Sequence, residues 1–214
     1  MELYFMPMAC SLATRIALDE AGAVAEFVEI DPMTKRTLDD ARNLLDANPL
    51  GLVPTLRTDT GEIVTENAAV LQWIAERWPD AHLAPEDSAG KTRLRSWLHF
   101  LGAEVHKGVF NMLFDKKAPE AAKAYVVEKS KAAFSHLERH LASNAFLVGD
   151  RFSVADAYLV TMLNWAVVTP INLGSYPALS EYAARLRKRP SVARAIEVER
   201  PLYAKELERH AKAS

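Results

Sequence analysis

Residues 1–30 read MELYFMPMACSLATRIALDEAGAVAEFVEI and predict a strand, a helix and a second strand. The apolar run Leu3–Met6 is typical of a short buried strand, and Pro7 closes it. Ser11 is placed to cap a helix whose apolar residues follow at helical spacing and which ends before Gly22. Because strand–helix–strand crossovers are almost always right-handed, we expect the two strands to be parallel neighbours.

Residues 37–78 continue the alternation of strands and helices. Thr37 is predicted to cap a second helix, which Asn48-Pro49 ends. Two short apolar segments, 53–57 and 62–64, flank Asp59-Thr60-Gly61 and predict a β-hairpin. A further helix is expected from about Asn67 to Trp78. The predicted order of the first domain is therefore βαβαββα.

The pattern changes after residue 80. Residues 1–80 form the predicted α/β domain, and residues 81–89, which are rich in Ala, Pro and acidic side chains, are expected to be a linker. Residues 90–214 show no strand pattern and predict an all-α domain. Its helices are expected over about 91–114, 119–141, 154–168 and 178–189, with one or two shorter helices toward Lys212, and Ser153 and Asp156 predict a capping box.

Composition and charge exclude several classes of protein. The chain has 214 residues, a formal net charge of −2 and a pI of about 6.3, so it has no general basic field for nucleic acid. The sequence contains no apolar run of about 18 residues, so no membrane span is expected. The first ten residues lack the pattern of a secretory signal. The single cysteine indicates a reducing compartment, so we expect a cytoplasmic protein.

The charge is unevenly divided along the chain. Residues 1–85 carry 6 Lys and Arg against 14 Asp and Glu, a net charge of −8. Residues 86–214 carry 20 against 14, a net charge of +6. This asymmetry agrees with two domains and suggests surfaces that attract each other.

Cys10 is the first candidate for chemistry. It lies in the predicted turn between a strand and a helix, where amide groups and the helix dipole favour an anion and therefore a thiolate. Ser11 would add a hydroxyl beside it. The alternative is that Cys10 is a small buried apolar residue. Ala13 occupies the fourth position of a possible Cys-x-x-Cys motif, so a dithiol cycle within the chain is excluded.

Two further motifs are typical of ligand contacts made by the backbone. A cis bond before Pro54 would let Val53 present its backbone like an edge strand to an extended peptide, although an ordinary trans proline fits the sequence as well. Glu66 and Asn67 open a predicted helix. They suit the carboxylate and ammonium of an amino-acid head group, or they form a plain cap.

His99 and His106 are seven residues apart in one predicted helix and should share a face. Their separation along the axis is about 10 Å, too far for one zinc ion, so no metal site is expected. Gly102 and Ala103 leave room between them, which favours the wall of a cleft. Two ordinary surface histidines are the alternative.

Five blocks of sequence resemble the cytosolic glutathione transferases, most closely the bacterial beta class, over essentially the whole chain. In chain order they are PMACSLATRIAL, NPLGLVPTL, IVTENAAVLQWIAE, WLHFLGAEVHKGVF and GDRFSVADAYLVTMLNWA. The resemblance implies a thioredoxin-like domain, an all-α domain and a homodimer. It also implies detoxification chemistry with glutathione as co-substrate, while the charge and the lack of a long apolar run predict neither a nucleic-acid nor a membrane partner.

The resemblance also assigns roles to single residues. Cys10 would lie beside the sulfur of glutathione and form a mixed disulfide with it, and Val53, before a cis Pro54, would pair with its cysteinyl backbone. The γ-glutamyl end would be held by Glu66 and Asn67, and a carboxylate by Lys35. His106 matches a histidine that lines the same cleft.

The sequence departs from the family pattern at several positions. His99 stands where Asn is usual, Met8 replaces a usual Gly, and Leu50 replaces a usual Lys. The leading interpretation is conjugation of glutathione to small electrophiles. The alternatives are glutathione-dependent thiol–disulfide exchange through Cys10 and a non-catalytic ligand carrier.

Overall fold

A computed structural model describes residues 1–213 of the chain, and the chain forms two compact units. The first unit combines Met1–Ala81 with the chain from Pro190 onward, and the second comprises His82–Arg189. The sequence assigns everything after residue 90 to the helical domain, whereas the contacts assign the last helix to the first unit.

The first unit is built on a four-stranded mixed sheet with strand order β2-β1-β3-β4. Its elements are β1 (Glu2–Phe5), α1 (Ser11–Glu20), β2 (Glu26–Glu29), β3 (Thr55–Arg57), β4 (Ile63–Thr65), α2 (Asn67–Arg77) and α8 (Pro190–Ala213), with 3₁₀ turns at Leu44–Asp46 and Pro79–Ala81. The first two strands are parallel, with Leu3 opposite Phe27, and β3 and β4 form an antiparallel hairpin. These pairings confirm the predicted crossover and hairpin.

The prediction of a helix after Thr37 is wrong. This segment is a loop with isolated bridges between Ile30 and Thr37 and between Arg36 and Asn43. The Thr37 hydroxyl accepts a hydrogen bond from the Arg42 N–H, and Asp40 has a φ of 58°, outside the helical region. Short polar side chains therefore satisfy the local backbone and compete with the helix that the apolar spacing favours.

The last helix, α8, is continuous where the sequence predicts one or two shorter helices. It packs against α1 and includes Pro201 in its interior. Near its start, Arg194 binds Asp19 through two hydrogen bonds of 2.9 and 3.0 Å. An amphipathic pattern predicts such a helix but leaves its packing partner open.

The second unit is all-α, as predicted. Its helices are α3 (Ser88–Phe100), a π-helix (Leu101–Phe110), α4 (Asn111–Phe114), α5 (Glu120–Leu141), α6 (Val154–Trp165) and α7 (Pro177–Arg187), with 3₁₀ turns at Ala166–Val168 and Leu173–Ser175. Within this unit α6 is central, because nearly all of its side chains are buried. No helix of the described residues is long and apolar enough to cross a membrane.

Asp156 organises the start of α6. One carboxylate oxygen accepts from the N–H and the hydroxyl of Ser153, at 2.9 and 2.7 Å, which completes the predicted capping box. The other accepts from the Leu147 N–H at 2.9 Å and the Tyr182 hydroxyl at 2.7 Å. Burial raises the pKa of Asp156, and these four donors oppose that effect.

We predict that Asp156→Ala destabilises the protein by about 3–5 kcal/mol, because it leaves several buried donors without an acceptor. Denaturant unfolding measures this loss. Asp150→Ala is the matched control, since Asp150 is exposed and lies 3.6 Å from Arg151, and it should change stability by less than about 0.5 kcal/mol. Equal effects of the two substitutions would contradict a structural role specific to Asp156.

Candidate functional site

Cys10 lies where the turn after β1 enters α1, as the N-cap residue of that helix. Its side chain is 9% exposed, and Sγ lies 3.0 Å from the carbonyl oxygen of Val53. The peptide bond between Val53 and Pro54 is cis, as the resemblance implies. The thiol at the positive end of α1 is therefore joined directly to the backbone that leads into β3.

Asn67 holds α2 against the same point of α1. Its Nδ2 donates to the Cys10 carbonyl at 3.2 Å, and its Oδ1 accepts from the Thr14 hydroxyl at 3.1 Å. Asn67 is the first residue of α2 rather than its cap; Glu66, with a φ of 65°, occupies the cap position and is exposed. The buried side chain of Asn67 thus serves the fold, while its N–H belongs to the first turn of α2, where amides have no intrahelical acceptor.

Ser11 is fully buried and does not cap α1 with its side chain. Its hydroxyl accepts from the Met6 N–H at 3.3 Å and lies 3.2 Å from the Met6 carbonyl oxygen, so it closes the turn that leads to Cys10. The capping role predicted for Ser11 is therefore wrong, because the residue lies one position inside the helix. Its proposed part in catalysis remains a prediction.

Sequence reasoning missed Glu199, a fully buried residue of α8. Its carboxylate accepts from the Met8 N–H at 2.7 Å and from Arg15 Nε at 2.6 Å. Met8 has a φ of 59°, in the region that glycine adopts most easily, which accounts for the glycine usual at this position in the family. Burial raises the pKa of Glu199, and Arg15 opposes that effect. A lone Glu in an amphipathic helix carries no sequence signal for this role.

Lys35 is the basic residue predicted to bind a carboxylate, and it lies in the loop between β2 and the 3₁₀ turn. Its backbone has a φ of 61°; its N–H donates to the Asp31 carbonyl, and its own carbonyl accepts from Leu44, at 2.9 and 2.8 Å. The side chain packs over Gly51, where a Cβ would lie 3.4 Å from Cδ of Lys35. The loop therefore holds both the backbone and the aliphatic stem of this lysine.

In the helical unit, His106 lies in a cluster of aromatic rings. Its Nδ1 is 2.7 Å from the Tyr158 hydroxyl, and its ring centroid is 5.1 Å from that of Trp165. Phe110 and Phe114 also contact Trp165, at centroid distances of 5.3 and 5.6 Å. Burial, with a smaller contribution from the charge of Lys107, lowers the pKa of His106 to about 4. The imidazole is therefore neutral near pH 7.

The expectation that His99 and His106 share one helix face assumes a single α-helix, whereas α3 is followed by a π-helix between them. His99 is exposed in α3, whereas His106 is largely buried in the π-helix, where Ala103 is exposed. A π-helix has more residues per turn than an α-helix, so the α-helical spacing does not apply here and the shared face stays a prediction. Gly108 fits this helix because a Cβ there would lie 2.9 Å from the Ala103 carbonyl oxygen.

Comparison with known proteins identifies the family. The model "Glutathione S-transferase, N-terminal domain" matches residues 7–77, and "Glutathione S-transferase, C-terminal domain" matches residues 101–190. The chain belongs to the glutathione S-transferase family. It is 36% identical to glutathione S-transferase GstA of Escherichia coli O157:H7, over 93% of this chain and 98% of the relative.

Two solved structures place the chain within this family more closely. A sphingomonad glutathione S-transferase complexed with glutathione is 42% identical, with a TM-score of 0.89, and the match covers 93% of this chain and 98% of that one. A bacterial beta class glutathione S-transferase of Sphingomonas chungbukensis is 41% identical, with a TM-score of 0.88 over the same shares. The resemblance to the bacterial beta class is confirmed.

The lowered pKa of His106 makes stability depend on pH. With a pKa of about 4 when folded and about 6.5 when unfolded, the unfolded chain binds more protons between these values. This stabilisation is complete above pH 6.5 and is lost as the pH falls toward 4. Between pH 7.5 and 4.5 we predict that His106 accounts for a loss of about 2–3 kcal/mol in unfolding free energy.

Denaturant unfolding at the two pH values, for the wild type and His106→Gln, measures this contribution. The wild type should lose about 2–3 kcal/mol more than the variant. An equal loss in both proteins would show that His106 has an ordinary pKa in the folded state.

Proposed function

We propose that this glutathione S-transferase conjugates the thiol of glutathione to small, mainly apolar electrophiles. The observation that carries the proposal is the contact of Cys10 Sγ with the Val53 carbonyl at the start of α1. In this contact the thiol donates to the carbonyl, and it brings the sulfur at the N-terminus of α1 next to backbone that suits an extended cysteinyl residue. Glutathione, whose central residue is a cysteine, suits both features.

Each end of the tripeptide has a candidate partner in the same unit. The exposed carboxylate of Glu66 suits the ammonium of the γ-glutamyl group, and the first amides of α2, at Asn67 and Ala68, suit its carboxylate. Lys35 suits the glycyl carboxylate. Pro54 fixes the backbone direction of Val53, which would bind the cysteinyl group by main-chain hydrogen bonds.

In this mechanism the N-terminus of α1 stabilises the glutathione thiolate, with Cys10 and the backbone of Ser11 as its neighbours. The thiolate attacks an electrophilic carbon, a carbon–sulfur bond forms, and the leaving group departs with its electron pair. The helical unit supplies the electrophile subsite, with His106, Ala103 and the aromatic rings around Trp165 as its wall. His99 is proposed to contact substrate at the edge of this subsite.

A second activity is supported by the position of Cys10 itself. A thiolate at this position attacks a disulfide that contains glutathione, forms a mixed disulfide and releases the other thiol; a second glutathione then restores Cys10 and leaves as glutathione disulfide. One cysteine suffices for this cycle.

We further propose a cytoplasmic homodimer that acts in detoxification, in agreement with the single cysteine and the opposite charges of the two halves of the chain.

Two assays with the wild type and Cys10→Ala test these activities. The wild type should bind to immobilised glutathione and accelerate thioether formation with an activated aryl halide. In Cys10→Ala, disulfide exchange should vanish, whereas conjugation should keep a substantial fraction of its rate, because the helix N-terminus still stabilises the glutathione thiolate.

Ser180→Ala, a substitution in α7 of the helical unit, is the control and should leave both rates unchanged. A wild type that neither binds glutathione nor accelerates thioether formation would refute both enzymatic activities and favour a ligand carrier. Loss of conjugation as complete as the loss of exchange would instead make Cys10 essential to both.

A further inference from the structure

Asp31 organises the loop that carries Lys35. Its Oδ1 accepts from the N–H groups of Met33 and Thr34, at 2.9 and 3.0 Å. Its carbonyl accepts from the Lys35 N–H, and its own N–H donates to the Arg36 carbonyl, both at 2.9 Å. A single residue therefore fixes the backbone on both sides of Lys35.

The second carboxylate oxygen of Asp31 is bound by the last helix of the chain. Oδ2 lies 3.0 Å from Nε2 of His210, near the end of α8. Burial acts to raise the pKa of Asp31, but the hydrogen bonds from Thr34, His210 and Met33 outweigh it and hold this pKa below its usual range. Because Asp31 is ionised and accepts only, His210 must be the donor in this pair.

The loop needs such support because Lys35 is a non-glycine residue with a φ of 61°. A non-glycine residue keeps a φ in this range only where its surroundings hold its backbone in place. The Lys35 carbonyl accepts from the Leu44 N–H, the Lys35 N–H donates to the Asp31 carbonyl, and the Lys35 side chain packs over Gly51. The next ion pair along α8 joins Arg209 to Glu29 at 3.1 Å, at the end of β2, so α8 contacts this region at two successive residues.

We propose that His210 is a positioning residue for glutathione binding, which acts through Asp31 to hold the Lys35 loop in its binding conformation. The inference rests on the proposed function, in which Lys35 binds the glycyl carboxylate. In this proposal His210 acts through Asp31 rather than by touching glutathione or the reacting atoms. Its loss should therefore weaken glutathione binding and leave the chemical step unchanged.

The test compares two substitutions of nearly equal size. His210→Phe keeps the planar ring and removes the donor, whereas His210→Gln places an amide N–H at a similar reach. We expect His210→Phe to raise the KM and the calorimetric Kd for glutathione roughly three- to tenfold, with kcat within about twofold of the wild type. His210→Gln should restore both constants to within about twofold of the wild type.

Arg194→Ala is the matched control for a general loosening of α8. Arg194 binds Asp19 near the other end of the same helix, and Asp19 belongs to α1 rather than to the Lys35 loop. Its substitution should leave the KM for glutathione unchanged. If Arg194→Ala raises this KM as much as His210→Phe does, or if His210→Gln fails to restore it, the specific role of His210 is overturned.

A double-mutant cycle with Lys35→Ala tests whether His210 acts through Lys35. Lys35→Ala alone should raise the KM for glutathione about tenfold or more, because it removes a charge-assisted contact. Adding His210→Phe to this variant should then have little further effect, whereas full additivity would overturn the inference.

The remaining outcomes separate the two proposals. If Lys35→Ala raises the KM and His210→Phe does not, the inference fails while the proposed function stands. A wild type without measurable glutathione binding overturns both proposals, and calorimetry reveals this before any variant is compared.

Discussion

Two hydrogen bonds of Cys10 join the parts of the thiol site. Its thiol contacts the Val53 carbonyl, and its own carbonyl accepts from Asn67, so the starts of α1, β3 and α2 meet at one residue. Helix starts have amides without an intrahelical acceptor, and the backbone before a strand can pair with an extended peptide. In the proposed function, this meeting point is where the tripeptide thiol binds.

The last helix provides the support for this arrangement. Glu199 binds the turn that precedes Cys10, through the Met8 N–H, and His210 binds Asp31 beneath the Lys35 loop. These residues are 191 and 179 positions away in sequence from their partners. A helix that the sequence assigns to the helical domain thus holds two loops of the α/β unit in conformations with positive φ.

The sequence predicts the elements whose formation depends on residues close together in the chain. The parallel strands, the hairpin around Gly61 and the capping box of Ser153 and Asp156 follow from short-range spacing and turn chemistry, and all three are observed. The prediction of a helix after Thr37 is wrong, because side-chain hydrogen bonds to the local backbone are more favourable there than the helix that the apolar spacing indicates. The directions of the Asn67 and Ser11 side chains were also missed, since Thr14 and Met6 decide them only once the chain has folded. The motifs of the glutathione transferases identified the family, while the supporting residues on α8 carry no motif.

The acidity of bound glutathione tests the central claim most directly. Glutathione bound to the Cys10→Ala protein, which has no thiol of its own, can be titrated by the ultraviolet absorbance of its thiolate. If the N-terminus of α1 stabilises this thiolate, the pKa of the bound thiol should lie at least about one unit below that of glutathione in solution. A bound thiol that ionises at the same pH as glutathione in solution would contradict the account.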